Sequence, residues 1–308
     1  MTTSTAFFFP GQGSQRAGMG KELFEQEPAA RAVFEQADEA LGMSLSTMCF
    51  EGPESDLALT ANTQPAILAT SIAALAVVRD KTGIAPTLAM GHSLGEFSAL
   101  VAVGALRFED AVRLVRIRGE AMQQAVPAGV GSMVAVIGMS AEDVEAACAE
   151  AAQGQVCSPA NENGGGQIVV AGHTEAVTRL AALAKSRKAR AVPLKVSAPF
   201  HCALMQPAAD RLAEALAEIE IGPMTAPVVT NVEAEPNADS GRVKELLVRQ
   251  VTQRVRWEAS VRKAVHMGVQ RAIEVGHGKV IAGLVRRIAK DLPVAAAASP
   301  ADIAVLDA

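Results

Sequence analysis

The run TLAMGHSLGEFSALVAVGAL, residues 87–106, constrains the fold more than any other part of the chain. A short apolar segment ends at Gly91, passes through Gly91-His92-Ser93-Leu94-Gly95, and continues from Leu94 as an apolar helical pattern. A strand that bends directly into a helix needs glycines at the bend, because neighbouring Cβ atoms would collide there. Strand, sharp turn and helix are the unit of α/β folds built on a parallel sheet. Such a bend lifts the middle serine above the sheet edge. It also points the free N–H groups and positive end of the helix at that serine. Half of the residues are hydrophobic but only 3% are aromatic, with no Tyr and one Trp. A core of Ala, Val, Leu and Ile suits helices packed on a buried parallel sheet.

The flanking patterns extend this reading. AFFF, residues 6–9, predicts a buried strand stopped by Pro10 and the turn GQG. Helical spacing covers 21–41, 64–81 and 108–126. The order then changes. SMVAVIGM, SAEDVEAACAEAA, QVCSPANENG, GQIVVAGH, TEAVTRLAALAKSRK and ARAVPLKVS read as strand, helix, strand, strand, helix, strand. Ser140 and Asp143 stand at the start of the first of these helices. This is the ferredoxin-like order. A helix after His201, a strand PVVTNV, a helix over 242–250 and a strand–turn–helix in RAIEVGHGKVIAGLVRRIAK follow. The alanine-rich tail beyond Pro293 is read as lying outside the ordered part. A chain of 308 residues exceeds one average domain. The expectation is an α/β fold with an α/β-hydrolase-like large subdomain, 1–130 and 198–308, on a parallel sheet core. A ferredoxin-like (βαββαβ) small subdomain, 131–197, is inserted in it.

Ser93 in G-x-S-x-G is a candidate nucleophile, with the Leu94 N–H placed to stabilise an oxyanion; a packed structural turn is the alternative. A serine hydroxyl needs a base. His92 is adjacent and better suited to supporting the turn. His173 ends a strand, His266 lies within a helix, and His277 sits in a Gly-rich turn. His201 follows Pro199-Phe200 at a helix start, where a loop presents it to a cleft, and is preferred. On the helix FEDAVRLVRIRGEAMQQAV, Arg118 falls in the middle of the apolar face. A buried guanidinium must meet an anion. That anion is either an internal Asp or Glu, or a substrate carboxylate held by the planar fork. PGQGSQ lacks the phosphate-loop pattern. It is either an ordinary Gly turn or, at Gln12, the source of a second oxyanion N–H.

The net charge of −5 disfavours wholesale binding to nucleic acid or an anionic membrane. Between Gly241 and Lys290, however, 12 Lys and Arg face 3 Glu, which is +9 and leaves −14 for the rest. This quarter is either a docking surface for an anion or a set of solvated helix faces. Cys49, Cys148, Cys157 and Cys202 form no C-x-x-C and no His cluster has metal spacing, so free thiols in a reducing compartment are expected. The N-terminus lacks a signal-peptide pattern, and no run of about 18 apolar residues predicts a membrane span. The expected location is the cytoplasm.

Taken together, these motifs resemble the malonyl-CoA:acyl carrier protein transacylase family over nearly the whole chain, to about Lys290. The resemblance rests on FFFPGQGSQ, GHSLGEFSAL, RLVRIRGEAMQ, SPANENGGGQIVVAG, PFHCALMQPAAD and LLVRQ…VRW. It implies that Ser93 takes a malonyl group from malonyl-CoA with His201 as base and passes it to the phosphopantetheine thiol of acyl carrier protein. Gln12 and Leu94 would form the oxyanion hole, and Arg118 would pair with the malonyl carboxylate. The Gln250 backbone carbonyl would orient His201. Asn161 matches a family position near the site, with His92 and Phe200 beside it, and Phe200 resembles the malonyl-selective version of its segment. The resemblance implies ping-pong kinetics and no cofactor, since the CoA thioester is a substrate. The carrier is acidic in this family's pathways, so the basic quarter, or KSRKAR at 185–190, is a candidate contact. A monomer is expected. His277 departs from the family, which usually has Pro there. Fatty acid synthesis is the expected setting; a free-standing polyketide acyltransferase or a serine (thio)esterase are the alternatives.

Overall fold

The computed structural model describes residues 3–194, 196 and 198–306. Its larger sheet has six strands: β1 (Thr5–Phe9), β2 (Leu88–Gly91), β7 (Val228–Val229), β8 (Pro236–Asn237), β9 (Arg271–Val275) and β10 (Val294–Ala297). The spatial order is β10-β9-β1-β2-β7-β8, parallel throughout except for the β7–β8 edge pair. β1 lies in the middle, with Phe7 opposite Ala89 on one side and Ile273 on the other. All five of its residues are buried, as expected for a parallel strand covered on both faces. The alternation along β1 sorts its side chains between two cores. Phe7 and Phe9 join the main core with the Thr60–Thr82 helix, while Phe8 packs edge-on against Trp257, ring centroids 6.0 Å apart, on the opposite face.

The second sheet comprises β3 (Gly131–Ile137), β4 (Cys157–Gly164), β5 (Gln167–His173) and β6 (Arg190–Pro193), antiparallel in the order β4-β5-β3-β6. That is the strand order of a ferredoxin-like unit. Val134, Val136, Ile168 and Val170 face the helices Ala141–Ala152 and Thr174–Ser186. Met133, Ala135, Val169 and Ala171 face the other way and join the main core. Ser140 caps the first of these helices, its Oγ accepting from the Asp143 N–H at 3.1 Å. β4 is tied to the large body by backbone hydrogen bonds: Val255 N–H donates to Ala160 O (2.8 Å) and Glu162 N–H to Val255 O (2.9 Å).

Several expectations are corrected. The predicted helix over 21–41 is two, Lys21–Gln26 and Pro28–Leu41. Pro28 pushes Glu27 into the extended region, so the first helix ends and Pro28 opens the second. PVVTNV pairs over two residues only. The tail beyond Pro293 is ordered: β10 extends the parallel sheet and the Pro300–Ala304 helix follows. An edge strand of alanines carries no alternation to read. The last strand of the small sheet ends at Pro193; the expected continuation through Lys195 and Ser197, and the boundary at 197, fall on residues outside those described. The Thr60–Thr82 helix is long and apolar enough by composition to cross a membrane, against expectation. It lies inside the fold, with 89% of its apolar window buried, as suits a helix that is apolar all round.

Candidate active site

The bend after β2 is closed by contact. A Cβ at Gly91 would lie 2.0 Å from the Gly95 carbonyl, and one at Gly95 would lie 2.2 Å from Phe9 O on β1. Between them Ser93 has φ 50°, in the left-handed region that non-glycine residues seldom occupy. Strain of this kind persists only where the surroundings fix it. Here Asn231 spans the bend: its Oδ1 accepts from the Ser93 N–H (2.7 Å) and its Nδ2 donates to Gly91 O (2.7 Å). Gln250 Nε2 donates to Ser93 O at 3.0 Å. The helix Gly95–Ala102 leaves the bend directly.

Ser93 Oγ lies 2.8 Å from His201 Nε2, and His201 Nδ1 lies 2.8 Å from Gln250 O. A carbonyl only accepts, so Nδ1 carries the hydrogen and Nε2 presents its lone pair to the serine hydroxyl. His201 also has a positive φ, 59°. Its imidazole pKa is pushed down to about 3, first by burial and then by the charge of Arg118, while the Gln250 carbonyl pulls the other way. The ring is therefore neutral at pH 7, with its Nε2 lone pair facing Ser93 Oγ.

Arg118 is 1% exposed. Its Nη1 donates to Gln64 Oε1 (2.7 Å), and its Nη2 to Gln250 Oε1 (3.0 Å) and Ser93 Oγ (3.1 Å). The guanidinium lies over the Phe97 ring at 5.5 Å, and its Nε has no hydrogen-bond partner among the described residues. Burial lowers its pKa to about 10, so it stays charged. Among the described residues no carboxylate lies within ion-pair distance of it. The internal Asp or Glu that the sequence left open is not in contact; the groups that touch the guanidinium are neutral amide oxygens and the candidate nucleophile. Glu96 is the nearby buried acid. Its Oε2 accepts from Gln250 Nε2 (2.8 Å) and the Asn231 N–H (3.0 Å), and burial raises its pKa to about 7.

Ser93, His201 and Arg118 line a cavity of about 190 Å³ together with Gln12, Leu94, His92, Phe200 and Asn161. Met133 and Val169 of the antiparallel sheet close it from the other side, so the site lies between the two sheets. Among the described residues nothing accepts from the N–H of Gln12 or of Leu94. The His92 ring packs on Trp257, centroids 5.6 Å apart, and its Nε2 is 2.9 Å from Asn163 Oδ1. These contacts fix the ring beside the bend, and His92 also lines the cavity. β4 carries register shifts at 159–161 and 162–164, and bulges of this kind re-aim side chains. His173 accepts from the Val156 N–H, His266 ends the Trp257–His266 helix, and His277 sits in the turn before the Val280–Ile288 helix; none lines the cavity.

The structure brings together Ser93, His201 and Arg118, which the sequence singled out, and Gln250, which the resemblance implied. The sequence reading missed Gln64, Glu96, Asn163 and Asn231. The signal that found Arg118 was present for two of them: Glu96 is the charged residue of the otherwise buried GEFSALVA helix, and Gln64 stands in a helix apolar all round. The +9 segment is not one positive surface. Glu233 pairs with Arg242 and Arg249, Glu145 and Glu162 with Arg254, and Glu235 with Lys263, all acids from outside the segment. The four cysteines are free.

The acyl transferase domain family matches residues 6–304. The chain is 47% identical over 300 residues to the malonyl CoA-acyl carrier protein transacylase of Salmonella typhimurium, covering 97% of each. The solved acyl carrier protein S-malonyltransferase of Vibrio cholerae is 46% identical and superposes with a TM-score of 0.96, over 99% of this chain and 100% of that one. A malonyl-transacylase solved in complex with a type II PKS acyl-carrier protein is 45% identical, with a TM-score of 0.95 over 98% of each chain.

Proposed function

The chain belongs to the malonyl CoA-acyl carrier protein transacylase family of acyl transferases, and on that premise we propose that it moves a malonyl group from malonyl-CoA to the phosphopantetheine thiol of acyl carrier protein through a malonyl ester on Ser93. Ser93 Oγ attacks the thioester carbonyl while His201 Nε2 takes its proton. The tetrahedral oxyanion accepts from the N–H groups of Gln12 and Leu94. Collapse expels the CoA sulfur, which takes the proton from His201. The carrier thiol then gives its proton to His201, attacks the ester carbonyl, and releases Ser93 as the hydroxyl. The Gln250 carbonyl holds the imidazole in the tautomer both halves need. All of these groups come from the chain, so the reaction as proposed calls on no cofactor.

The observation that carries this reading is Arg118, buried and charged, in contact with Ser93 Oγ and with no acid touching it among the described residues. A malonyl carboxylate supplies the missing anion beside the nucleophile. Phe200 in the same cavity crowds an α-methyl branch. Brief incubation with malonyl-CoA or methylmalonyl-CoA, followed by mass spectrometry of the protein, tests both points. We expect a malonyl adduct on Ser93, a much weaker methylmalonyl adduct, and neither in Ser93→Ala. Malonyl transfer that survives Ser93→Ala would overturn the mechanism.

The similarity to a transacylase bound to a type II PKS carrier makes a polyketide carrier a second acceptor to test beside a fatty acid carrier. Free thiols at all four cysteines fit the cytoplasm. We expect a monomer.

A further inference from the structure

Glu96 lies inside the motif that carries the nucleophile, yet no step above uses it. It is 1% exposed. One oxygen, Oε2, accepts from the side-chain amide of Gln250 and from the backbone of Asn231. These two partners are the groups that hold the bend: Asn231 binds Ser93 N–H and Gly91 O, and Gln250 binds Ser93 O. The same Gln250 amide passes the contact on, because its Oε1 accepts from Arg118 Nη2. Carboxylate, amide and guanidinium therefore form one buried relay, with the serine attached at two points. A buried arginine without a counter-charge is costly. Glu96 is the acid close enough to act on it through space.

We propose that Glu96 is a positioning and specificity-tuning residue: through the Gln250 amide it aims Arg118 at the acyl site, and its charge competes with the acyl carboxylate for that guanidinium. The inference rests on the reading of Arg118 given above. When Glu96 is ionised, Arg118 is partly neutralised from behind and attracts a malonyl group less. When Glu96 is neutral, the full positive charge faces the substrate. Arg118 is the charged group acting on Glu96; the nearby rings of His201 and His92 are both held toward the neutral form by burial. Burial places the Glu96 ionisation near neutrality, at about pH 7.

The experiment measures kcat/KM for malonyl-CoA and acetyl-CoA in the intact enzyme and follows their ratio. Glu96→Gln keeps an oxygen for Gln250 and Asn231 but removes the charge. A loosened bend would slow both substrates and cancel in the ratio. We expect the malonyl-to-acetyl ratio to rise roughly fivefold, the scale of one charge acting through a partly polar interior. In the native enzyme the ratio should fall as pH rises from 6 to 8, and in Glu96→Gln it should be flat. A native ratio that is flat over this range overturns the proposal even if the variant does not fold. A variant ratio that is unchanged or lowered also overturns it. Arg118→Ala separates the two claims: if it abolishes the malonyl preference while Glu96→Gln leaves the ratio alone, only the role of Glu96 fails. If Arg118→Ala leaves the preference intact, the reading of Arg118 fails with it.

Discussion

Arg118 shows how one residue type on the wrong face of a helix can announce a chemistry. Its guanidinium cannot give up its proton, so burial alone demanded a negative partner. Removing it should cut kcat/KM for malonyl-CoA about 10²-fold or more, since charge-assisted contacts of about 1.5–3 kcal/mol each are lost. Acetyl transfer should be equal or better, and comparing the two acyl donors checks this. Equal losses for both would make Arg118 structural. The same variant makes a pH prediction. His201 is held low by burial and then by the Arg118 charge. In the native enzyme the acid limb of the kcat/KM profile for acetyl-CoA should therefore lie well below 6.5. Without Arg118 it should move up but stay below 6.5, because burial, the larger cause, remains; a pH–rate profile reads this directly. At this scale the sequence told residue types but not reach. Asn231 and Asn163 were invisible because an amide is ordinary in a loop or a polar strand until the fold aims it at a particular atom.

The strand–bend–helix unit was the most legible element, because its requirements are local. Gly91 and Gly95 are needed for close approach of backbone to backbone, not for flexibility. Gly95→Ala would drive a methyl into Phe9 O on β1. We expect a loss of about 1–3 kcal/mol from overpacking, read by denaturant unfolding, and a larger loss of activity as Ser93 shifts. Unchanged stability would show that β1 and the Gly95–Ala102 helix part easily at this point. The ferredoxin-like unit was legible for the same reason: its strands alternate, its helices are amphipathic, and Ser140 caps where expected. Elements without a local signature were lost. The Glu27-Pro28 break was available from the proline alone and was passed over, whereas β10 is a strand only because β9 lies beside it.

Across the whole molecule, charge in sequence and charge on the surface part company. Acids from other segments neutralise Arg242, Arg249, Arg254 and Lys263. Lys279, Arg286, Arg287 and Lys290 remain exposed along or beside the Val280–Ile288 helix, with no ion pair among the described residues. The turn leading into that helix packs near Pro10 and Ser14 of the GQG loop, at the rim of the site. An acidic carrier is expected to meet this face. Replacing Arg286 and Arg287 together by Ala should raise KM for the carrier roughly tenfold at low salt and less at high salt. Transfer to free pantetheine should be untouched; an unchanged KM for the carrier would place the contact elsewhere. What the sequence determined by itself is what short-range sterics and burial dictate: the bend at Ser93, the order of the small unit, and a cation that must find an anion. Only the tertiary structure decided that Ser93, His201, Arg118, Glu96, Gln250 and Asn231 share one buried network. Those contacts join residues up to 157 positions apart, and their geometry is set by how two sheets pack, which no local pattern encodes.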